Sequence, residues 1–393
     1  MYPGRLLLLA LIMLALPLAA CGDDDAGSGA GTADAPGSSF PEVEREARGQ
    51  TVRWWMFGGD DRINAYVKDV VAPAAKKKGV TLRQVPITDT ADAVQRVVAE
   101  KRAGKTSGGG VDLIWINGEN FAAGKKAGLW LEGWALDLPS AKFIDLEDPT
   151  ITTDFKVEVE GQESPWSRAA FVYAHDSAKV KTPPKDFDEL LAYAKANPGR
   201  VTYPAPPDFT GSAFIRQVVA AKGEDEAFAY LRQLKPLMYR KGKTFPKSEA
   251  ELNGLFADGE LDFAMSYEFG FIRNEVRKKS FPDTARPFLL GKGALANVSF
   301  VTIPANAAHQ AGAKVVADLL LSPELQAAKA DPKGLGSPTV LDLSKLDADD
   351  AAAFEGSSSG PYVLKDLGEP VEEIAADAVA PLETRWKREV LRG

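Results

Sequence analysis

Apolar strands that alternate with helical segments are the feature that most restricts how this chain can fold. Residues 52–57 (VRWWMF), 80–87 and 111–116 consist mainly of apolar and β-forming residues and predict buried strands. A helix capped by Asp60 or Asp61 follows the first strand, with Gly79 placed as its C-terminal cap, and a second helix covers residues 89–103. This alternation predicts βαβ units and an α/β fold with a parallel sheet.

The same kind of pattern continues along the rest of the chain. Further strands are predicted over residues 171–174, 201–203, 261–265 and 298–303, and helices over 187–196 and 311–321. Residues 370–390 predict an amphipathic C-terminal helix. A chain of 393 residues is long enough for two or more domains, so we expect a two-lobed α/β body.

The N-terminal residues predict export. Arg5 supplies a positive charge, residues 6–18 are apolar, and the small residues Ala19 and Ala20 lead into Cys21. This arrangement resembles a bacterial lipoprotein signal over residues 1–20, with Cys21 as the lipidated residue; the alternative is an ordinary signal peptide that contains a cysteine. We expect an extracytoplasmic protein held at the membrane by a lipid anchor alone.

The segment after Cys21 has little to bury. Residues 22–39 are mostly Gly, Ala, Ser and Asp, which is typical of a flexible, acidic tether, and we assign residues 21–49 to it. The net charge of −8 argues against a nucleic-acid partner. One cysteine and two histidines do not suit a structural zinc site, and we expect no metal and no cofactor.

Several segments resemble the extracellular solute-binding proteins of ABC importers. Residues 319–326 (LLLSPELQ) and 256–261 (FADGEL) are similar to segments common in that superfamily. A narrower resemblance, to its YnjB-like branch, is carried by residues 111–121 (VDLIWINGENF), 164–168 (SPWSR) and 197–216 (NPGRVTYPAPPDFTGSAFIR).

The resemblance implies a type II periplasmic-binding-protein fold with a ligand cleft between two lobes. Residues 50–165 and 295–393 would form lobe one, and residues 166–294 would form lobe two. The implied function is the substrate-binding component of an ABC importer. It would capture a small polar solute between closing lobes and deliver it to a membrane permease with a cytoplasmic ATPase. We expect a monomer without enzymatic activity.

Side chains at the carboxyl ends of the strands, and at the adjoining helix starts, are the candidates for solute binding, because ligands of open α/β sheets bind there. Gly58 and Gly59 would let the backbone approach a ligand closely. The full set is Phe57, Gly58, Gly59, Asp60, Asn117, Glu119, Asn120, Trp166, Arg168, Tyr203, Thr210, Gly211, Ser212, Tyr267, Glu268 and Asn297.

The charges near these positions point in two directions. Near these positions there is one basic residue, Arg168, and there are four acidic residues: Asp60, Glu119, Asp208 and Glu268. Carboxylates beside aromatic rings suit an organic cation. The helix start at Thr210, in contrast, offers hydroxyl and N–H groups that suit an anion. A zwitterion would use both, and we expect a cationic or zwitterionic solute.

Two other functions compete with transport. A sensory binding lipoprotein would present its closed form to a receptor instead of a permease. A secreted hydrolase would use Glu119 and Glu268 as paired carboxylates. The two histidines offer no plausible base beside a serine nucleophile and no thiol is available, which disfavours a hydrolase with a serine or cysteine nucleophile.

Overall fold

The computed structural model describes residues 39–356, 360–369 and 371–393, so the predicted signal peptide, Cys21 and most of the tether lie outside the described residues. The strands are β1 Thr51–Phe57, β2 Thr81–Ile87, β3 Leu113–Ile116, β4 Thr153–Asp154, β5 Val157–Glu158, β6 Glu163–Ala170, β7 Val172–Asp176, β8 Phe263–Ser266, β9 Ala285–Phe288 and β10 Ala296–Thr302.

The α-helices cover the ends and faces of these strands. They are α1 Phe40–Ala47, α2 Asp61–Tyr66, α3 Ala72–Lys77, α4 Thr90–Arg102, α5 Glu119–Lys126, α6 Pro149–Thr152, α7 Phe187–Ala196, α8 Phe209–Lys222, α9 Glu224–Leu234, α10 Glu249–Ala257, α11 Phe271–Arg277, α12 Gln310–Leu321, α13 Pro323–Ala330, α14 Ala348–Ala352 and α15 Ala376–Trp386. A π-helical segment, Val67–Val71, joins α2 to α3, and another, Lys387–Leu391, extends α15.

Lobe one is built on a five-stranded sheet with the order β2-β1-β3-β10-β6. As the sequence predicts, β1 pairs in parallel with β2 and with β3. β10 returns late in the chain and pairs antiparallel with β3 and with β6. Alternate residues of β1, Val52, Trp54 and Met56, are fully buried, which fixes this strand at the centre of the core.

Lobe two is built on a three-stranded antiparallel sheet with the order β8-β7-β9. The chain enters it directly from β6 through Phe171, whose N–H donates to the carbonyl of Leu295 at 2.8 Å. Because β6 stays paired with β10 as far as Ala170, the entry to lobe two lies at residue 171 rather than at the predicted 166.

The C-terminal helix contacts both lobes. Leu382, Trp386 and Val390 lie in the apolar core of lobe two, in the same cluster as Phe214. Ala376 and Val379, at the start of the same helix, pack with Phe155 of lobe one. The predicted strand over residues 201–203 does not form; this segment is buried without regular structure.

Among the described residues, no helix has the length and apolar character that crossing a membrane requires.

Candidate functional site

The candidate site lies between the two lobes, which touch in this structure. Glu268, just after β8 of lobe two, accepts a hydrogen bond of 2.5 Å from the hydroxyl of Ser337, which follows α13 of lobe one. Nearby, Arg277 of α11 donates to the carbonyl of Lys333 at 2.8 Å. Asp60, at the start of α2 in lobe one, is close enough for its charge to raise the pKa of Glu249, at the start of α10 in lobe two.

Aromatic rings form a continuous row along lobe one. The centroids of Phe57 and Trp115 are 6.4 Å apart, those of Trp115 and Trp166 are 5.0 Å apart, and those of Trp166 and Trp54 are 5.8 Å apart. Each pair is edge-to-face, a favourable geometry for aromatic quadrupoles. Phe57 is 42% exposed, whereas Trp166 is buried, so the row reaches from the core to the surface at Phe57. Trp115, which sequence reasoning missed, joins the two predicted rings.

The turn after β1 provides the N-terminal cap of α2. Asp60 accepts hydrogen bonds from the N–H groups of Arg62, at 2.7 Å, and of Ile63, at 3.2 Å, and caps the helix as predicted. It also forms an ion pair of 2.8 Å with the Arg62 guanidinium. Gly58 donates its N–H to the carbonyl of Ile87. Gly59, the next residue, is exposed to solvent.

The turn after β3 holds a second group of polar side chains. Gly118 adopts a φ of +61°, which favours glycine, and donates its N–H to the buried carboxyl of Asp154 at 2.5 Å. Glu119 begins α5, and burial raises its pKa, with the charge of Glu373 adding to the rise. Asn117 and Asn120 are half-buried beside it.

The start of α8, predicted as an anion site, already has its polar groups engaged within the protein. The carboxylate of Asp208 accepts from the N–H of Gly211 at 2.9 Å and caps the helix. The hydroxyl of Thr210 donates to Glu249 at 2.5 Å. The hydroxyl of Ser212 accepts from the guanidinium of Arg216 at 2.9 Å. The Thr210 hydroxyl and the Gly211 N–H are therefore not free to hold the oxygens of an anionic solute.

Arg216 is a deeply buried charge near the site, with 1% of its surface exposed. Its guanidinium donates to both oxygens of Glu373, at 2.8 and 3.1 Å, and Tyr267 donates its hydroxyl to the same carboxylate at 2.8 Å. The rings of Phe155 in lobe one and Phe209 in lobe two lie 5.3 and 5.0 Å from the guanidinium carbon. Phe155 has a φ of 44°, uncommon for a non-glycine residue, in the turn between β4 and β5.

Carboxylates of both lobes approach one another at the other end of the site. Burial raises the pKa of Glu249 to about 7, and the nearby charges of Asp208 and Asp60 add to the rise. Burial likewise raises the pKa of Glu268; Asp60 raises it further, while Ser337 and Arg62 oppose this. Because Asp60 belongs to lobe one and the two glutamates to lobe two, the site brings like charges together.

Three predicted residues lie in other environments. Tyr203 is fully buried, and its ring stacks on that of Phe214 with the centroids 4.4 Å apart. Its hydroxyl accepts a hydrogen bond from the Trp386 indole. The sequence predicts that Tyr203 binds the solute, but in the structure it is a residue of the core. Arg168 forms an ion pair of 2.7 Å with Asp148, which occupies its guanidinium. Asn297, on β10, has a buried side-chain amide with no hydrogen-bond partner among the described residues.

Asn297 thus keeps free hydrogen-bonding capacity beside the strands that connect the lobes, which fits the prediction that it contacts a solute. Among the residues that the structure describes, no group of three or more His, Cys, Asp or Glu side chains is arranged to hold a metal ion.

Sequence reasoning missed Arg216, Glu249, Glu373 and Asp154. Arg216 carried a usable signal, because it stands four residues after Ser212 on a predicted helix, and that spacing places the two side chains on one face. The other three lie in segments distant in sequence from the residues that they contact.

Comparison with known proteins agrees with this architecture. A family model described as bacterial extracellular solute-binding protein matches residues 69–354. The chain is 39% identical to Protein YnjB of Escherichia coli (strain K12) over 367 residues, which cover 89% of this chain and 93% of that protein.

Two solved structures share the fold at low sequence identity. The periplasmic binding protein P5PA superposes with a TM-score of 0.64 at 15% identity, covering 87% of this chain and 99% of the other. A periplasmic thiamin binding protein gives a TM-score of 0.61 at 20% identity, covering 86% and 96%. The predicted two-lobed α/β fold is confirmed.

Proposed function

This chain belongs to the bacterial extracellular solute-binding proteins, and on that premise we propose that the solute it captures for an ABC importer is a small organic cation. The family role, solute capture for an ABC transporter, is shown by the comparisons. The charge of the solute is our inference, and it depends on the carboxylates that meet between the lobes.

The proposal is carried by the effect of Asp60, in lobe one, on two carboxyl groups of lobe two: its charge raises the pKa of both Glu249 and Glu268, and Glu268 itself contacts lobe one through Ser337. Closing the lobes concentrates negative charge, which is unfavourable unless a positive group enters or a carboxyl takes up a proton. Arg62 supplies one positive charge but is already paired with Asp60, and burial lowers the pKa of Lys329, the other basic residue whose charge acts on Glu268, which favours its neutral form. A cationic solute would favour the closed form because it relieves a repulsion that exists only there.

Two further features support a cation over an anion. The helix start at Thr210, which by sequence favours an anion, has its polar groups engaged by Asp208, Glu249 and Arg216. The exposed ring of Phe57, next to Trp115, offers an aromatic surface at the edge of lobe one, and aromatic rings attract cations.

The test is a binding titration of the purified protein by calorimetry. Putrescine, choline and thiamin serve as cationic probes, citrate and phosphate as anionic ones, and maltose as a neutral one. Native mass spectrometry of gently purified protein, beside a denatured control, would identify any solute that co-purifies. Binding of anions or of maltose, without binding of any cation, would contradict the proposal.

Two neutralising substitutions locate the cation. Asp60→Asn keeps the helix cap, because asparagine caps as well as aspartate, yet removes the charge. Asp60→Asn and Glu268→Gln, made separately, should each weaken the binding of whichever cation binds the wild type by about 10-fold, which corresponds to about 1.4 kcal/mol. Asp61→Asn is the matched control, since Asp61 is the exposed neighbour on the same helix. Equal losses in all three variants would place the cation elsewhere.

We also propose that the protein acts as a lipid-anchored monomer without catalytic activity. The support for anchoring is the sequence around Cys21, with small residues before a cysteine after an apolar run. Cys21→Ala should move the protein from the membrane fraction to the soluble fraction of its native host. Retention of the variant in the membrane fraction would refute the lipid anchor.

A further inference from the structure

The group around Arg216 has the composition of a receptor for a carboxylate. Its guanidinium faces the Glu373 carboxylate with two nearly parallel hydrogen bonds, of 2.8 and 3.1 Å, the fork geometry by which arginine recognises carboxylates. Tyr267 provides a third donor at 2.8 Å. Ser212 holds the remaining side of the guanidinium, so the donors are fixed in place.

The environment strengthens this recognition. Arg216, Ser212, Tyr267 and Glu373 are each more than nine-tenths buried, and water therefore competes little for the hydrogen bonds. The group also lies between the lobes, since the rings of Phe155 of lobe one and Phe209 of lobe two lie 5.3 and 5.0 Å from the guanidinium carbon. A solute that entered between the lobes would meet this arginine if its carboxylate partner were absent.

The partner carboxylate does not come from either sheet. Glu373 lies in the irregular segment before α15, and it is 157 residues from Arg216 in sequence. Its neighbour Glu372 is exposed and makes an ion pair of 3.5 Å with Lys156, while Ala376 donates its N–H to the carbonyl of Phe155 at 3.0 Å. The C-terminal segment thus places one carboxylate on Arg216 and keeps it there.

We propose that Arg216, Tyr267 and Ser212 form a carboxylate-binding subsite that the protein fills with its own Glu373, and that this occupancy excludes acidic solutes. The exclusion of acidic solutes builds on the proposed function, because it leaves only the carboxylates around Asp60 open to a solute. Glu373 is then a specificity-determining residue: it neutralises the buried guanidinium of Arg216.

The experiment is chemical rescue of Glu373→Ala, followed by thermal unfolding. The variant lacks a carboxylate but keeps the arginine, so it should melt several degrees below the wild type in sodium chloride. Sodium acetate or formate, at the same ionic strength, should raise its melting temperature saturably. Glu372→Ala, which removes the adjacent exposed carboxylate, should respond to acetate no more than the wild type does.

A second variant distinguishes the loss of the Glu373 charge from the loss of the side chain that fills the subsite. Glu373→Gln fills the same space, so acetate should leave its melting temperature unchanged. If Glu373→Ala does not fold in chloride, its refolding from urea is compared in acetate and in chloride. Recovery in acetate supports the subsite, and no recovery in either salt overturns it.

Two other results overturn the proposal. One is a Glu373→Ala variant that responds to acetate no more than Glu372→Ala does. The other is a wild-type protein that acetate stabilises saturably, because Glu373 would then not exclude a carboxylate. Both are measured without any solute probe, so they are independent of the cation titration, whose failure would contradict only the proposed function and the selectivity built on it.

Discussion

Neutralising Glu249 should change how the stability of the protein depends on pH. Its pKa rises from an ordinary 4.5 to about 7, mainly through burial, with Asp208 and Asp60 adding to the rise. The folded protein therefore holds a proton that the unfolded chain releases between pH 4.5 and 7. The stability that this proton contributes is fully present below pH 4.5 and is lost as the pH rises through 7.

The size of the effect follows from the pKa. The difference between 4.5 and about 7 corresponds to about 3 kcal/mol in the free energy of unfolding. Glutamine resembles the protonated side chain, and its amide oxygen can still accept from Thr210. Glu249→Gln should therefore match the wild type near pH 4 and exceed its free energy of unfolding by up to about 3 kcal/mol near pH 8.

The assay is urea unfolding at several pH values between 4 and 8, with the free energy of the variant compared with that of the wild type at each pH. Other carboxyl groups titrate in both proteins and largely cancel in the difference. Glu251→Gln is the control, because Glu251 is exposed on the same helix. A difference that stays constant from pH 4 to 8 would refute the reasoning.

The same proton links stability to binding. A cation beside Glu249 favours the ionised carboxylate, so its binding should release a proton near pH 6 and tighten as the pH rises through about 7. Calorimetry in two buffers of different ionisation enthalpy measures the number of protons released. No proton release at pH 6 would show that the cation lies away from Glu249.

Three packing predictions concern the lobes themselves. Gly124→Ala should destabilise the protein by about 1–3 kcal/mol, because the added Cβ would lie 1.8 Å from the Trp130 ring. Gly254→Ala should instead stabilise it by up to about 1 kcal/mol, because the added Cβ would have no atom within 4 Å and alanine favours the helix. Trp386→Ala should cost about 3–5 kcal/mol, since it empties part of the core of lobe two and leaves the Tyr203 hydroxyl without its indole donor. Urea unfolding checks all three values, and an unchanged free energy for Trp386→Ala would show that α15 does not complete this core.

Elements whose pattern is local could be predicted from the sequence. The helix over residues 187–196 is confirmed residue for residue as α7, because its apolar spacing and the Asp186 cap lie within one short segment. β1 is confirmed to within one residue for the same reason. The strand predicted over residues 201–203 fails because its apolar residues are buried by packing on α8 and α15 rather than by a sheet ladder.

The candidate site could be predicted only in part. Asp60 and Glu268 follow from the rule that ligands bind at strand ends, and Glu268 contacts Ser337 of the other lobe. This rule does not predict the ion pair of Arg216 with Glu373, because only the tertiary fold brings these two residues together. Tyr203 illustrates the converse: a tyrosine before a proline suits a binding loop, yet its ring is needed inside the core.

The contact between α15 and lobe two also limits the order in which the chain can fold. The Trp386 indole and the Tyr203 hydroxyl that it meets are 183 residues apart, and between them the chain must complete lobe two, return through β10 and form α12 and α13. Contacts of such long range form slowly, because the loop must be closed before they contribute stability. Lobe two therefore lacks part of its apolar core until the C-terminal helix docks on it.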